Sequence, residues 1–427
     1  MYTTWANPDP PGESSMHLRH FSHALLLLTA AALLSVILGE PAQGGPLPRI
    51  GLWIECEGRD RTLDSPDKIR AAVEDASSLG ATDIFLQVYR NGTAWFQTSL
   101  ADDTPFRKAR AAGFDPVGLA VTLAHRQGIR IHAWVNVLRV DDGSKSRLVR
   151  TLGEQAVLGD STGRSLLAAG PWGADQGWKP DTPGAWLDPG SPEVVARLAA
   201  IFADLLGAHP ALDGLHLDYV RYPMAVRSGK RGGTPADLGW SRASRARFVK
   251  KTANTKGGEE RARWDAWRAD QLTALVRSIN AGVRKIQPEL VRSAAVIPAP
   301  DEALGRAHQN WPAWTRDSML DLVVPMNYTR DAGRFERLSR SSVEKKGRAT
   351  MLIGVGAWRF RDRVGEIPAR IRLSLEAGAE GVVLFSHNNL GSWPTSFGRL
   401  GRLIRQELRE EGTPVESLEG APAAKIQ

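Results

Sequence analysis

A single cysteine, Cys56, in 427 residues rules out an intramolecular disulfide and any zinc site built from thiolates. It ends a run of apolar residues with no base nearby in sequence, which is the setting of a packed thiol and not of a nucleophile. The chain has no Gly-x-Ser-x-Gly elbow, which argues against an esterase. No glycine-rich phosphate loop follows its first β-type run, which argues against a dinucleotide-binding sheet. Histidines number nine, and His125, His132 and His387 share no ligand spacing, so neither a metal centre nor a zinc-dependent deacetylase is expected. No cofactor is called for. Internal repeats are missing too, which excludes a solenoid.

What is present is a globular composition, 42% hydrophobic and 24% charged, sufficient for a sizeable core. Fifty-five Lys and Arg against 47 Asp and Glu leave a formal charge of +8. Most of the excess is scattered Arg on helix-type stretches, with a denser run from Arg227 to Arg231 and Lys250, Lys251 and Lys256 beyond it. A solvated surface is the first reading; an anionic polymer is the second. No nucleic-acid recognition module accompanies the charge.

Residues 24–38 are apolar or small apart from one Thr and one Ser. Arg19 and three histidines precede them, and Gly39, Glu40, Pro41 and Ala42 follow. The run suits the core of a signal peptide and falls short of a membrane-spanning helix. Export with cleavage near 42–45 is the expectation, giving a periplasmic or secreted protein; membrane contact requires that the segment stay uncleaved. Residues 1–45 are therefore read as a targeting segment, 46–409 as one domain and 410–427 as a disordered tail rich in Gly, Pro, Glu and Ala.

From Ile50 onward, eight short apolar runs alternate with helical patterns: 50–54, 83–88, 130–135, 214–217, 293–297, 322–325, 350–355 and 381–385. Pro66 opens a helix whose Ile69, Ala72, Val73 and Ala76 form the inward stripe and which Gly80 stops. Asp115-Pro116, Ser191-Pro192 and Ile367-Pro368 repeat this grammar. Eight strands in such a rhythm predict an α/β fold, a closed (β/α)8 TIM barrel, with long loops after strands three (140–186) and four (221–263).

Polar side chains at the C-terminal ends of barrel strands face a common mouth. The sequence offers Glu55 on strand one, Gln87 and Arg90 on two, and His132, Trp134 and Asn136 on three. Strand four adds His216, Asp218 and Arg221, strand six Asn327, Tyr328 and Asp331, and Trp358 follows strand seven. Amides, arginines and aromatics of this kind bind sugars. In Leu212-Asp-Gly-Leu-His-Leu-Asp-Tyr-Val-Arg-Tyr-Pro223, period-two alternation buries Leu215 and Leu217 and points His216 and Asp218 inward. Asp218, beside Arg221, is expected to stay ionised as a glycosidase nucleophile or base; Asp213 reads as a turn or cap residue. The second carboxyl group that a glycosidase needs is sought in Glu302 or Glu55, with Asp301 and Asp331 behind them. Trp172, Trp178, Trp186 and Trp358 are candidate sugar platforms; Trp264 and Trp267 read as core.

These segments carry a family resemblance. Gly51-Leu-Trp-Ile54, Ile84-Phe-Leu-Gln-Val-Tyr-Arg90, His132-Ala-Trp-Val-Asn136, Trp186-Leu-Asp-Pro-Gly190, the motif from Asp213 to Pro223, Val323-Val-Pro-Met-Asn-Tyr328 and Gly381-Val-Val-Leu-Phe-Ser386 resemble, in order, the bacterial family-10-like glycosyl hydrolases. The resemblance implies a TIM barrel, an extracytoplasmic location and glycosidase activity, with peptidoglycan glycan strands cleaved by some relatives. The chain departs from the family pattern at Tyr219, where a second acidic residue is common. The sequence thus predicts an exported glycoside hydrolase acting on a polysaccharide by two-carboxylate catalysis. The alternatives are an inactive carbohydrate-binding barrel, distinguished by an isolated Asp218, and a basic protein gripping an anionic polymer.

Overall fold

The computed structural model describes residues 48–140, 146–167, 178–227, 237–253, 259–393 and 397–410, all within one compact unit. The targeting segment, Trp172 and the tail lie outside them, as do most of the basic run after Arg227 and Lys256.

Eight parallel strands close into a barrel: β1 (Arg49–Ile54), β2 (Asp83–Arg90), β3 (Arg130–Asn136), β4 (Gly214–Asp218), β5 (Val291–Val296), β6 (Leu322–Pro325), β7 (Thr350–Gly356) and β8 (Gly381–Phe385). Each pairs with its sequence neighbours, and β1 pairs with both β2 and β8, so no edge is left open. Around the barrel run α1 (Pro66–Leu79), α2 (Pro116–Arg126), α3 (Pro192–Ala208), α4 (Glu260–Ile286), α5 (Pro300–Ala307), α6 (Ala332–Val343), α7 (Glu366–Glu376) and α8 (Phe397–Glu410). Three of the expected start signals work as side-chain caps: Ser65 accepts from Lys68 N, Asp115 from Val117 and Gly118 N, and Ser191 from Val194 N, satisfying amides that the first helical turn leaves without partners; the fourth, Ile367-Pro368, lies inside α7, which begins at Glu366 after Gly365 with no side-chain cap.

Two apolar layers result. Between sheet and helices lies the main core, including Leu52, Ile84, Ile131, Leu215 and Leu217 from the strands and Val73, Leu198 and Leu272 from the helices, all nearly or fully buried. Inside the barrel a separate cluster of Trp53, Phe85, Trp134, Ala295, Val324, Leu352 and Val383 fills the interior, so it is a packed core and not a channel. Gly214 at the foot of β4 permits this: a Cβ there would stand 2.0 Å from His132 Nδ1.

The two long loops are joined to each other by antiparallel ribbons. Gly159–Asp160 pairs with Leu238–Trp240, and Trp178–Pro180 with Ala225–Arg227. Asp188, fully buried, accepts from Ser241 Oγ at 2.6 Å and Ser244 Oγ at 2.5 Å across the same seam. Trp264 and Trp267 stack at 4.9 Å in a satellite core with Phe248, as the helical spacing suggested.

Candidate active site

At the C-terminal mouth of the barrel lies a cavity of about 270 Å³ whose wall includes Glu55, Gln87, Trp134, Asn136, Asp218 and Tyr328. Arg90, Arg139, Arg221, Tyr219, Met326 and Phe385 complete it. Pleat parity explains the convergence. Residues 83, 85 and 87 of β2, 132, 134 and 136 of β3, and 214, 216 and 218 of β4 all point into the barrel, and the last of each set reaches the mouth.

Asp218 is held on both oxygens. Trp134 Nε1 donates to Oδ2 at 3.1 Å, and the backbone N–H of Tyr219 donates to Oδ1 at 2.6 Å. Tyr219 adopts φ of 52°, a left-handed conformation uncommon for an aromatic residue and frequent at functional sites. Burial raises the Asp218 carboxyl from its ordinary value; the Tyr219 N–H, the Arg221 guanidinium and the Trp134 N–H act in the opposite direction without cancelling it. Desolvation thus works against the ionised form expected from the sequence. Burial likewise raises the phenols of Tyr219 and Tyr328, leaving both as hydroxyl donors.

Glu55 reaches the same wall from the end of β1, and Ser386 Oγ donates to its Oε2 at 2.7 Å. Gln87 Nε2 donates to Asn136 Oδ1 at 3.2 Å, linking β2 to β3 across the floor. Arg221 does not pair with Asp218. Its Nη2 donates to Asp181 Oδ2 at 2.7 Å, and its guanidinium lies 5.0 Å from the Trp186 ring and 5.4 Å from that of Tyr219. Arg90 pairs with Glu57 at 3.0 Å, and Arg139 Nη1 donates to Asn91 at 2.8 Å.

Several residues chosen from sequence stand elsewhere. His132 faces inward but near the bottom of the barrel, with Nε2 3.1 Å from Asp83 Oδ1 and its ring stacked on Phe85 at 4.7 Å. His216 sits one layer below Asp218, contacting Ser293 Oγ at 2.9 Å and Trp53 Nε1 at 3.4 Å; burial pushes its imidazole well below the ordinary value, so it is neutral. Asn327 points outward and donates to Phe335 O and Ser339 Oγ on α6. Asp331 caps that helix through Arg334 N. Glu302, in the first turn of α5 with Asp301, forms an exposed pair with Arg306 at 2.5 Å and takes no part in the cavity wall. Trp186 is fully buried, a support beneath Arg221 and Tyr219 and not a sugar platform. Trp358, 37% exposed, stands on the rim with its ring 4.9 Å from that of Tyr328. Asp213 accepts from Ile131 N at 2.7 Å and from His125 Nε2 at 2.8 Å, the expected turn role. Cys56 is buried, its thiol pushed well up by desolvation.

Sequence reading missed Arg139 and Asp181. Arg139 lies three residues past β3 and was within reach of the strand-end rule; Asp181 lies in a long loop, 40 positions from its partner, with no local signal. Among the described residues no group of three or more His, Cys, Asp and Glu is placed to hold a metal ion, and no helix is long and apolar enough to cross a membrane.

The family described as glycosyl hydrolase-like 10 matches residues 49–360. Glycosyl hydrolase DigH of Escherichia coli O6:H1 (strain CFT073) is 24% identical over 315 residues, covering 69% of this chain and 65% of the relative. DigH of Escherichia coli K12 is 25% identical over 317 residues, with the same coverage. The chain thus spans about 65% of the length of these curated relatives. Among solved structures, the PgaB (BpsB) glycoside hydrolase domain from Bordetella bronchiseptica has a TM-score of 0.61 at 16% identity, covering 84% of this chain and 99% of that one. The catalytic domain of β-amylase from Paenibacillus polymyxa has a TM-score of 0.53 at 10% identity, covering 84% and 98%. At such identities the structural likeness establishes the fold, a TIM barrel. The match over residues 49–360, most of the described chain, means that this protein belongs to the glycosyl hydrolase-like 10 family.

Proposed function

We propose that this protein is an exported glycoside hydrolase that cleaves O-glycosidic bonds of a polysaccharide, with bacterial cell-wall glycan as the first substrate to test. The observation that carries this reading is the presence of two carboxyl groups, Asp218 and Glu55, on the wall of one cavity at the barrel mouth. Family membership and the TIM-barrel fold support it.

Glycosidases separate the duties of two carboxyls by environment: the desolvated one carries a proton and the better-solvated one acts as an anion. Asp218 fits the first duty. Burial favours its protonated form, so it would deliver its proton to the glycosidic oxygen as the bond to the anomeric carbon breaks. Glu55, held on one oxygen by Ser386, would attack that carbon or take the proton of an attacking water. Gln87, Asn136 and the three arginines would orient ring hydroxyls, with Tyr328 and the rim indole of Trp358 against the apolar face of a sugar. An isolated Asp218 would favour a purely sugar-binding role; Glu55 on the same wall supports the hydrolase reading. Export rests on the targeting pattern of residues 24–45.

The test is incubation of the purified protein with cell-wall and plant glycans, with released products read by mass. Wild type should release saccharides, and Asp218→Asn should release at least about a hundredfold fewer while keeping its native circular dichroism, the usual scale for losing a general acid. An undiminished rate in Asp218→Asn would remove this carboxyl from the mechanism. N-terminal sequencing of protein recovered from outside the cytoplasm tests export, with a mature start near residues 42–45 expected.

A further inference from the structure

The catalytic cavity, at about 270 Å³, is smaller than the roughly 300–1,000 Å³ usual for small-ligand sites. A polymer cut there must continue outside it. A second cavity of about 640 Å³ adjoins it on the β1–β2 side. The boundary between the two is made of side-chain pairs. Arg90 faces the first cavity and Glu57 the second, and their charged atoms meet at 3.0 Å. Gln87 faces the first and Cys56 the second, with the thiol donating to Gln87 Oε1 at 3.3 Å.

We propose that this second cavity is a binding subsite for the sugar residues of the chain that lie beyond the scissile bond, and that the Arg90–Glu57 pair is the partition over which the chain passes. The inference rests on the glycosidase reading above. The cavity's wall is suited to hydroxyl-rich rings: Thr93, Asp102, Thr104 and Lys108 supply donors and acceptors. Its framework is firm. Thr104 is bound through both its N–H and its Oγ1 to Asp102, and Ala94 N donates to Asp102 O at 2.8 Å.

The test blocks the second cavity without touching the first. Ala112 ends the helix Thr104–Ala111 at φ of −84°, is exposed, and lines the second cavity only. Ala112→Trp should fold normally and fill the space. The probe is bacterial cell-wall glycan fractionated by length, with β-1,4-linked N-acetylglucosamine oligomers from the disaccharide upward as a second ladder. Wild type should show kcat/KM rising by about tenfold or more from the shortest cleaved length to the longest, and Ala112→Trp should abolish that rise while leaving the shortest substrate within about twofold. A flat length profile in wild type, or an equal loss at every length in the variant, overturns the proposal. If wild type cleaves no member of either ladder, cell-wall glycan is ruled out as the substrate, and the subsite is judged by calorimetric binding of the longest strands. Affinity lost in Ala112→Trp but retained in Asp218→Asn supports the subsite; equal affinity in wild type and Ala112→Trp overturns it.

Discussion

Trp134 and Asp218, on adjacent barrel strands, are joined by one hydrogen bond of 3.1 Å from the indole N–H to a carboxylate oxygen. This bond favours the charged carboxylate, whereas burial favours the neutral acid, and burial is the larger effect. Trp134→Phe keeps the ring in the barrel interior and deletes the donor. The carboxyl should then titrate at still higher pH. If Asp218 is the proton donor, the alkaline limb of the kcat/KM profile moves upward; if it is the base, the acidic limb does. A rate loss of about ten- to a hundredfold matches one hydrogen bond to a charged group, ~1.5–3 kcal/mol. A pH profile with neither limb displaced would show that Asp218 does not titrate in catalysis.

Glu55 and Glu302 give a paired experiment, since the sequence offered them as equals and the fold separates them. Glu55→Gln should lower turnover by about a hundredfold or more, the scale of losing a positioned acid or base. Glu302→Gln should stay within about twofold of wild type, because that carboxylate is committed to Arg306 on an exposed helix. Steady-state rates on the same glycan decide, and the reverse order would move the second carboxyl to α5.

Two buried aspartates pull stability in opposite directions with pH. Asp83 is completely buried at the bottom of the barrel and accepts from Arg49, Arg130 and His132. Desolvation there is outweighed by hydrogen bonds from His132, Arg49 and Arg130, so its carboxyl is held far below the ordinary range. Its stabilisation is therefore complete above the unfolded value of about 3.9 and is lost as pH falls below it. Asp218, with a raised value, is best tolerated below about 3.9 and costs stability as pH rises through its folded value. Asp83→Asn should consequently lower Tm at neutral pH, by the equivalent of about 3 kcal/mol for breaking a buried pair, with kcat/KM kept. Asp218→Asn should show a Tm at neutral pH equal to or above wild type. Thermal melts across pH would expose an error in either sign.

The contrast between these aspartates also shows what could be read in the sequence. Strand positions and inward parity followed from period-two alternation and from turn and cap residues, which are local. Alternation along strand four pointed Asp218 inward, the strand-end rule offered Gln87, Trp134 and Asn136, and the structure brings the four to one wall. Depth along the strand was harder. His132 and Asn136 share a face of β3, yet one meets Asp83 at the bottom and the other lines the mouth. Strand-end arguments also fail where a peptide turns outward, as at Asn327, which serves α6. Asp301, Glu302 and Asp331 show the commonest confusion, between a carboxylate that opens a helix and one that faces substrate. Asp181 could not be found locally, because only the ribbon between Trp178–Pro180 and Ala225–Arg227 carries it to Arg221.

That long-range pair supplies the last prediction. Arg221 has its guanidinium bound by both oxygens of Asp181 and placed over Trp186 and Tyr219. Only a planar fork satisfies both demands, so lysine is not a conservative replacement. Arg221→Lys should raise KM by about tenfold with a smaller change in kcat, as expected when uniform substrate binding is weakened. Asp181→Asn should reproduce much of that effect without contributing to the cavity wall, since its role is to aim the guanidinium. Combining the two changes should cost little more than either alone, because each destroys the same pair; residues in one ion-pair network deviate from additivity by about 0.5–3 kcal/mol. A double variant whose loss equals the sum of the singles would show that Asp181 acts on the substrate by some route other than Arg221.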